Sequence, residues 1–311
     1  MGAEYAFCMT GMQKNIIIYQ MIKPFLKWAG GKRQLLSEIK KYIPKDFQNY
    51  TYYEPFAGAG AVFFGLQPEK AVINDSNEQL INAYNAIKNS VSELVQLLKN
   101  YEKNNDKNFY YNIRDLDRDP ESFRRLSNTE KAARFIYLNK TCYNGLYRVN
   151  SKGFFNVPYG KYDNPAICEE KVLYQISGYL NSNMIGISCG DFEDAVSPLL
   201  KQSAEKNSFV YFDPPYHSEG NKNFTSYQAD GFDESQQERL CDLIIKLTKN
   251  KIKCLLSNSD TDFIRELYLH RSFQCDKNFF EIITVQAKRA INSKASGRGI
   301  VNEILVKNWK D

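Results

Sequence analysis

Val210-Tyr211-Phe212-Asp213-Pro214-Pro215-Tyr216 is the stretch from which the rest of the chain can be placed. Ser208 to Phe212 is short, rich in aromatic and β-branched residues and bounded by prolines, which predicts a buried strand stopping at Asp213. The acid then sits at a strand's carboxyl end, the edge at which open α/β sheets bind ligands. Two consecutive prolines fix φ and remove two N–H donors, so the turn is stiff and its carbonyls are available to accept. A carboxylate, a neighbouring carbonyl and an aromatic face are presented together. That set suits a flat ring carrying an amino group, with Asp213 and the Pro214 carbonyl taking its N–H bonds and Tyr216 stacking on the ring.

Upstream, Tyr52-Tyr53-Glu54-Pro55-Phe56-Ala57-Gly58-Ala59-Gly60 reads as a strand and a glycine turn leading into an apolar helix, and Ala71 to Asp75 as a second strand ending in an acid. Gly58 and Gly60 permit close approach of backbone to a ligand, and Asp75 could bond ribose hydroxyls. The third glycine of the dinucleotide fingerprint is missing, which favours an adenosine without a pyrophosphate. A strand-to-helix turn with a capping acid fits the same residues. Before it, Trp28-Ala29-Gly30-Gly31-Lys32-Arg33 precedes a helical pattern at Leu35, Leu36, Ile39 and Tyr42. Trp28 offers a π face and Lys32 a positive charge, although a helix start with a core tryptophan and a solvated lysine is equally consistent.

After Asp75 the periodicity turns helical, with capping boxes expected at Ser76-Gln79 and, further on, at Ser235-Glu238. A helix over about 129–138 leads into a segment where Leu146 to Val149 and Phe154 to Val157 can pair about an Asn150–Gly153 turn. From Lys140 to Lys161 there are basic residues (Lys140, Arg148, Lys152, Lys161), aromatics and asparagines, but no acids. Lysine suits phosphates, arginine guanine and asparagine adenine; a structural hairpin with a solvated basic face also fits. Met184 to Cys189 is a further strand, and Asp191 just beyond it could hold a bound adenine's amino group or cap the helix that follows. The 217–233 loop, with Asn223, Phe224 and Tyr227, is long enough to suggest a function. Lys253 to Asn258, Phe280 to Val285 and Val301 to Val306 are the remaining strands, and the basic, acid-free run Lys288 to Arg298 is a candidate DNA or substrate contact.

With 311 residues, 43% of them hydrophobic, the chain can bury a substantial core, and a net charge of +5 leans towards an anionic partner. Seven scattered cysteines without a Cys-x-x-Cys pair argue against a disulfide framework or a zinc site, so no metal is expected. No apolar run approaches the roughly 18 residues of a membrane span, so the expected location is cytoplasmic with no membrane partner. Residues 1 to 21 carry no clear periodicity and read as an amino-terminal extension.

Phe25-Leu26-Lys27-Trp28-Ala29-Gly30-Gly31-Lys32, Glu54-Pro55-Phe56-Ala57-Gly58-Ala59-Gly60, Asn74-Asp75 and Asp213-Pro214-Pro215-Tyr216 occur in the order seen in Dam-type DNA adenine-N6 methyltransferases, the D12 class or alpha group. With Leu138-Asn139-Lys140, Tyr143-Asn144-Gly145-Leu146, Arg148, Asn156-Val157-Pro158 and Ser257-Asn258-Ser259-Asp260-Thr261, the resemblance covers about residues 23 to 309, and it resembles the Dpn modification methylases in particular. It implies an α/β fold: a seven-stranded, Rossmann-like S-adenosylmethionine-dependent methyltransferase sheet carrying a mostly helical target-recognition domain with a β-hairpin. The implied division is a catalytic domain at 22–77 and 169–311 and an inserted recognition domain at 78–168. The implied cofactor is S-adenosylmethionine, held at Trp28, Lys32, Glu54, Phe56, Gly58, Gly60, Asp75, Asp191, Phe192 and Asp213. Asp213, Pro214 and Tyr216 are the implied catalytic residues. Lys27, Asn144, Leu146, Arg148, Asn150, Pro158, Tyr159 and Lys161 are the implied contacts to double-stranded DNA at GATC. A cognate restriction endonuclease acting on the same site is the protein partner implied by the resemblance to modification methylases. Thr141-Cys142 and Tyr147 depart from the family's hairpin pattern. A nicotinamide-dependent oxidoreductase, which also has a glycine turn and a strand-end acid, is the alternative from another class; a methyltransferase acting on another base or site is the nearer one.

Overall fold

The computed structural model describes residues 22–28, 32–201, 207–218, 231–273, 280–288 and 300–310. Residues 1–21, Gly30, Gly31, Asn223, Phe224, Tyr227 and Arg289 to Arg298 lie outside the described residues. Strands β1 (Thr51–Glu54), β2 (Lys70–Asp75), β3 (Met184–Cys189), β4 (Ser208–Phe212), β5 (Lys253–Ser259), β6 (Glu281–Lys288) and β7 (Ile300–Lys307) form one sheet of order β3-β2-β1-β4-β5-β7-β6. The first five run parallel, and β7 inserts antiparallel between β5 and β6. Every residue of β4 is buried, as expected of a strand covered on both faces. The chain winds one way from β1 through β2 to β3 and the other way from β4 to β5. The order therefore reverses between β1 and β4, and a crevice opens at their carboxyl ends.

Helices α1 (Leu36–Ile39) and α2 (Ala61–Leu66) flank β1 in sequence, while α9 (Phe192–Val196), α10 (Glu234–Lys249) and α11 (Asp262–Phe273) follow β3, β4 and β5. Between β2 and β3 lie α3 (Glu78–Asn89), α4 (Val91–Lys103), α5 (Lys107–Asp115), α6 (Pro120–Arg125), α7 (Asn128–Thr141) and α8 (Glu170–Ser182). One apolar core runs from Tyr52 and Ile73 in the sheet, through Leu80 and Tyr84 of α3, to Phe135 of α7 and to Phe155 and Val157. The helical insertion is thus welded to the sheet rather than tethered. Among the described residues, no helix is long and apolar enough to cross a membrane.

Two caps differ from expectation. Asn77, not Ser76, caps α3 by accepting the Gln79 and Leu80 N–H groups, and Asp233, not Ser235, caps α10 by accepting the Gln236 N–H. In both places a short side chain with a strong acceptor outcompetes the serine. The hairpin is also reduced: its arms form no strands, only the bridge Val149–Phe155, with hydrogen bonds Asn150 N–H to Phe154 O (2.9 Å) and Asn156 N–H to Arg148 O (3.0 Å). The Asn150–Gly153 turn forms as expected, its Asn150 Oδ1 accepting the Lys152 and Phe154 N–H groups. Pairing is interrupted beyond these bonds, where Asn144 and Gly145 are left-handed, with φ of 56° and 62°, and Pro158 has no N–H to donate, and it resumes only at the isolated bridge Cys142–Tyr159, flanked by Tyr143 N–H to Pro158 O (2.9 Å) and Gly160 N–H to Thr141 O (2.8 Å).

Candidate active site

Asp213 stands at the end of β4, beside the reversal point. Its Oδ1 accepts from Lys32 Nζ at 2.9 Å and from Ser257 Oγ at 2.8 Å. The Ser257 hydroxyl is itself 2.9 Å from the buried Tyr211 hydroxyl, which fixes its direction. Lys32 is buried, and its ammonium also lies 4.2 Å from the centre of the Tyr216 ring. The far end of that ring donates to Glu303 Oε2 on β7 at 2.7 Å. The rest of the turn is tied down as well: Gln237 Nε2 of α10 donates to the Pro215 carbonyl (3.0 Å), Asn258 Nδ2 donates to Gln237 Oε1 (2.9 Å), and Ser259 Oγ donates to the His217 carbonyl (2.7 Å). Among the described residues, nothing hydrogen-bonds Asp213 Oδ2 or the Pro214 carbonyl. Two acceptors are left over beside an immobilised aromatic ring. Burial pushes the Asp213 carboxyl above its ordinary pKa, and Lys32 and Ser257 pull it back.

The neighbouring strand ends build a second surface. Gly58 and Gly60 are left-handed (φ 50° and 75°) and packed from behind: a Cβ on Gly58 would meet Trp28 Cδ1 at 2.9 Å, and one on Gly60 would meet the Tyr84 hydroxyl at 2.7 Å. Asp75 at the end of β2 accepts the Gly58 N–H (3.0 Å) and the Asn77 N–H (2.9 Å), and burial raises its pKa. Asn74 laces the loops together by donating to the Pro55 and Gly190 carbonyls. Glu54 is only 2% exposed; it takes the Tyr52 hydroxyl at 2.7 Å beneath the glycine turn, and burial drives its pKa well up. It supports the turn from below. Phe56 stacks on Phe192 with ring centres 5.2 Å apart and planes 28° apart. Asp191 caps α9 through the Glu193 N–H (2.9 Å), and both its oxygens are engaged by the Arg239 guanidinium, which lies 4.5 Å over Phe192. The cap, one of the two roles its spacing allows, is formed and is reinforced by an ion pair.

The hairpin joins this edge through Trp28, whose indole stacks on Tyr147 (6.0 Å, 24°). Asn139 completes the junction, accepting the Lys27 N–H and donating to the Lys27 and Gly145 carbonyls. Arg148 is exposed and donates to Asn156 Oδ1 at 2.7 Å. Lys27, Asn144, Pro158 and Lys161 are also exposed, whereas Leu146, Asn150 and Tyr159 are half-buried. Tyr143, at 51% exposure, is a large ring left on the surface here.

Residues 28–291 match the family described as D12 class N6 adenine-specific DNA methyltransferase. The chain belongs to that family. It is 43% identical over 302 residues to the Type II methyltransferase M1.LlaDCHI of Lactococcus lactis subsp. cremoris, covering 97% of this chain and 99% of that one. It is 41% identical over 310 residues to the Type II methyltransferase M.MjaIII of Methanocaldococcus jannaschii (93% and 99% covered), and 33% identical over 287 residues to the DNA adenine methylase of Escherichia coli strain K12 (91% and 94% covered).

As an adenine-specific DNA methyltransferase, the enzyme carries its Asp-Pro-Pro-Tyr turn at the sheet's reversal point. Family membership sets the nicotinamide-dependent alternative aside. Residue chemistry picked out Asp213 and Tyr216 but not the groups that aim them, Ser257, Gln237 and Glu303. One consequence is measurable. The ionised Asp213 is the acceptor form, so if it accepts an N–H of the target base, activity should be present above its pKa and lost as pH falls through it. Ser257→Ala removes a donor that favours the ionised form and raises that pKa further. The acid limb of the rate profile should move to higher pH; a limb that stays in place would show that Ser257 only fills space.

Proposed function

We propose that this methyltransferase uses S-adenosylmethionine to methylate N6 of an adenine swung out of duplex DNA, within GATC. The observation that supports the reading most strongly is a pair of acceptors that nothing among the described residues hydrogen-bonds, Asp213 Oδ2 and the Pro214 carbonyl, beside the fixed Tyr216 ring. Adenine's exocyclic nitrogen is a poor nucleophile because its lone pair is delocalised into the ring. Accepting both N–H bonds draws that nitrogen towards tetrahedral geometry and localises the lone pair for in-line attack. Taking the base out of the duplex costs a few kcal/mol, which stacking on Tyr216 partly offsets. A ring stacking on the face that Lys32 covers displaces its ammonium.

The residues present fit the cofactor: an adenosine-type group needs a glycine turn, a strand-end acid and an aromatic wall, and Gly58, Gly60, Asp75, Phe56 and Phe192 supply them. Trp28 backs the turn, and Asp191 holds α9 and Phe192 at its edge. S-adenosylmethionine, when bound, supplies an electrophilic methyl group. Residues 22–77 and 169–311 form the catalytic part and 78–168 the recognition part, with Arg148, Asn144 and Lys161 meeting DNA. GATC rests on the resemblance to Dam-type methylases and on the relatives named DNA adenine methylase, and the relatives named Type II methyltransferases support pairing with a restriction endonuclease of the same specificity. A plasmid incubated with the protein and S-adenosylmethionine should resist a nuclease that cuts only unmethylated GATC. Protection at a different sequence would overturn the site assignment alone; absence of any methyl incorporation would overturn the whole reading.

A further inference from the structure

The hairpin cannot hold its own shape. An isolated two-stranded hairpin is marginal in water even with a full ladder, and this one has one bridge beside its turn, Val149–Phe155, and one at its base, Cys142–Tyr159, with no continuous ladder between them. Its outgoing arm is instead gripped from behind by charges. Arg134 of α7, 1% exposed, donates from Nε to the Ile113 carbonyl (2.9 Å) and from Nη2 to the Arg114 carbonyl (2.6 Å), and pairs with Asp117 Oδ2 at 2.7 Å. Asp117, 7% exposed, also pairs through Oδ1 with Arg118 Nη1 (2.7 Å), while its Oδ2 accepts the Phe155 N–H (2.9 Å). Arg118 Nη2 closes the grip by donating to the Phe155 carbonyl at 2.7 Å. Both polar groups of one residue are therefore held by one ion cluster. Two residues on, the Val157 carbonyl takes the Tyr110 hydroxyl at 2.8 Å.

The gripped residue is the bridge partner of Val149 and directly precedes Asn156, the residue that Arg148 touches. A buried ion cluster adds little stability over well-packed apolar side chains, because desolvating the charges offsets their attraction. What it does add is direction, since Asp117 and Arg118 take the N–H and the carbonyl of the same residue from fixed positions. We propose that Arg134, Asp117 and Arg118 form a mount that sets the height and register of Arg148 and Asn156, making Asp117 and Arg118 positioning residues for site selection rather than for methyl transfer. The inference rests on the hairpin reading bases, as proposed above. None of the cluster's hydrogen bonds or ion pairs involves Asp213, Lys32, Ser257 or Tyr216.

Arg118→Met is the decisive variant, because Asp117 keeps Arg134 and the Phe155 N–H and no buried charge is stranded. Wild type, Arg118→Met and Arg148→Ala are each assayed on a library of random duplexes with S-adenosylmethionine. The wild type's own preferred site sets the reference, whatever that site is. Arg118→Met should methylate the preferred site within about threefold of the wild-type kcat. Its rate ratio between that site and the best single-base variant should fall roughly fivefold or more, fivefold being the low end of what one arginine–guanine pair contributes. If Arg148→Ala loses discrimination while Arg118→Met keeps it, the mount is wrong and base reading by the hairpin stands. If Arg148→Ala also keeps it, the hairpin reading and the mount fall together. A uniform rate loss of Arg118→Met on all sites, with the ratio intact, assigns the cluster to folding alone and overturns the proposal.

Discussion

Asp213→Ala should lower the rate of methyl transfer by roughly a thousandfold, with binding of DNA nearly unchanged. The size follows from what the carboxylate does in the proposed reaction: its Oδ2 is an acceptor that nothing among the described residues hydrogen-bonds, and it acts where the nucleophile develops charge. Asp213→Asn keeps one acceptor oxygen in the same place and should lose less. Alanine also removes the carboxylate that faces the buried Lys32 ammonium, so the melting temperature must be measured alongside the rate. A variant that folds and still transfers methyl at the wild-type rate would remove Asp213 from the chemistry.

Gly60→Ala should be the most damaging small substitution on the cofactor side. The residue caps α2 in the left-handed region, where an alanine costs about 1–2 kcal/mol. Its new methyl would also lie 2.7 Å from the Tyr84 hydroxyl and 2.8 Å from Phe64 Cε2. Neither ring can retreat: both are fully buried, and the Tyr84 hydroxyl is committed to the Gly58 carbonyl at 2.9 Å. Overpacking of that kind adds about 1–3 kcal/mol. Thermal denaturation should register a drop on the order of 5–10 °C, and the affinity for S-adenosylmethionine should fall because the turn itself is displaced. Gly153 is left-handed too (φ 77°) but has nothing within 4 Å of a new Cβ, so Gly153→Ala carries only the backbone strain. Equal melting of the two variants would contradict the packing account of the glycine turn.

The strands were legible wherever burial on both faces writes a continuous apolar run closed by an acid or a glycine. β3 and β4 begin and end where the sequence predicts, and Asp75 and Asp213 stand at strand ends as expected. Residues whose meaning depends on a distant partner were harder. Asp191 offers the same local pattern as a cap or a ligand, and its ion pair with Arg239, on α10, is invisible from the local sequence. Ser257 and Glu303 look like ordinary polar strand residues until β5 and β7 bring them to Asp213 and Tyr216. Gln237 left a trace: a fully buried amide three residues before Leu240, in line with the apolar stripe of α10. The hairpin shows the opposite failure. Its alternation predicts a ladder, but the left-handed Asn144 and Gly145 and the donor-less Pro158 break it into two isolated bridges, and Asp117, Arg118 and Arg134 support the arm between them.

The most direct measurement is to incubate duplex DNA with the protein and S-adenosylmethionine carrying a labelled methyl group, digest the DNA to nucleosides and identify the labelled one by mass spectrometry. The account predicts label in N6-methyladenine with the wild type and almost none with Asp213→Ala. Label in a methylated cytosine, or undiminished label in N6-methyladenine from Asp213→Ala, would contradict it.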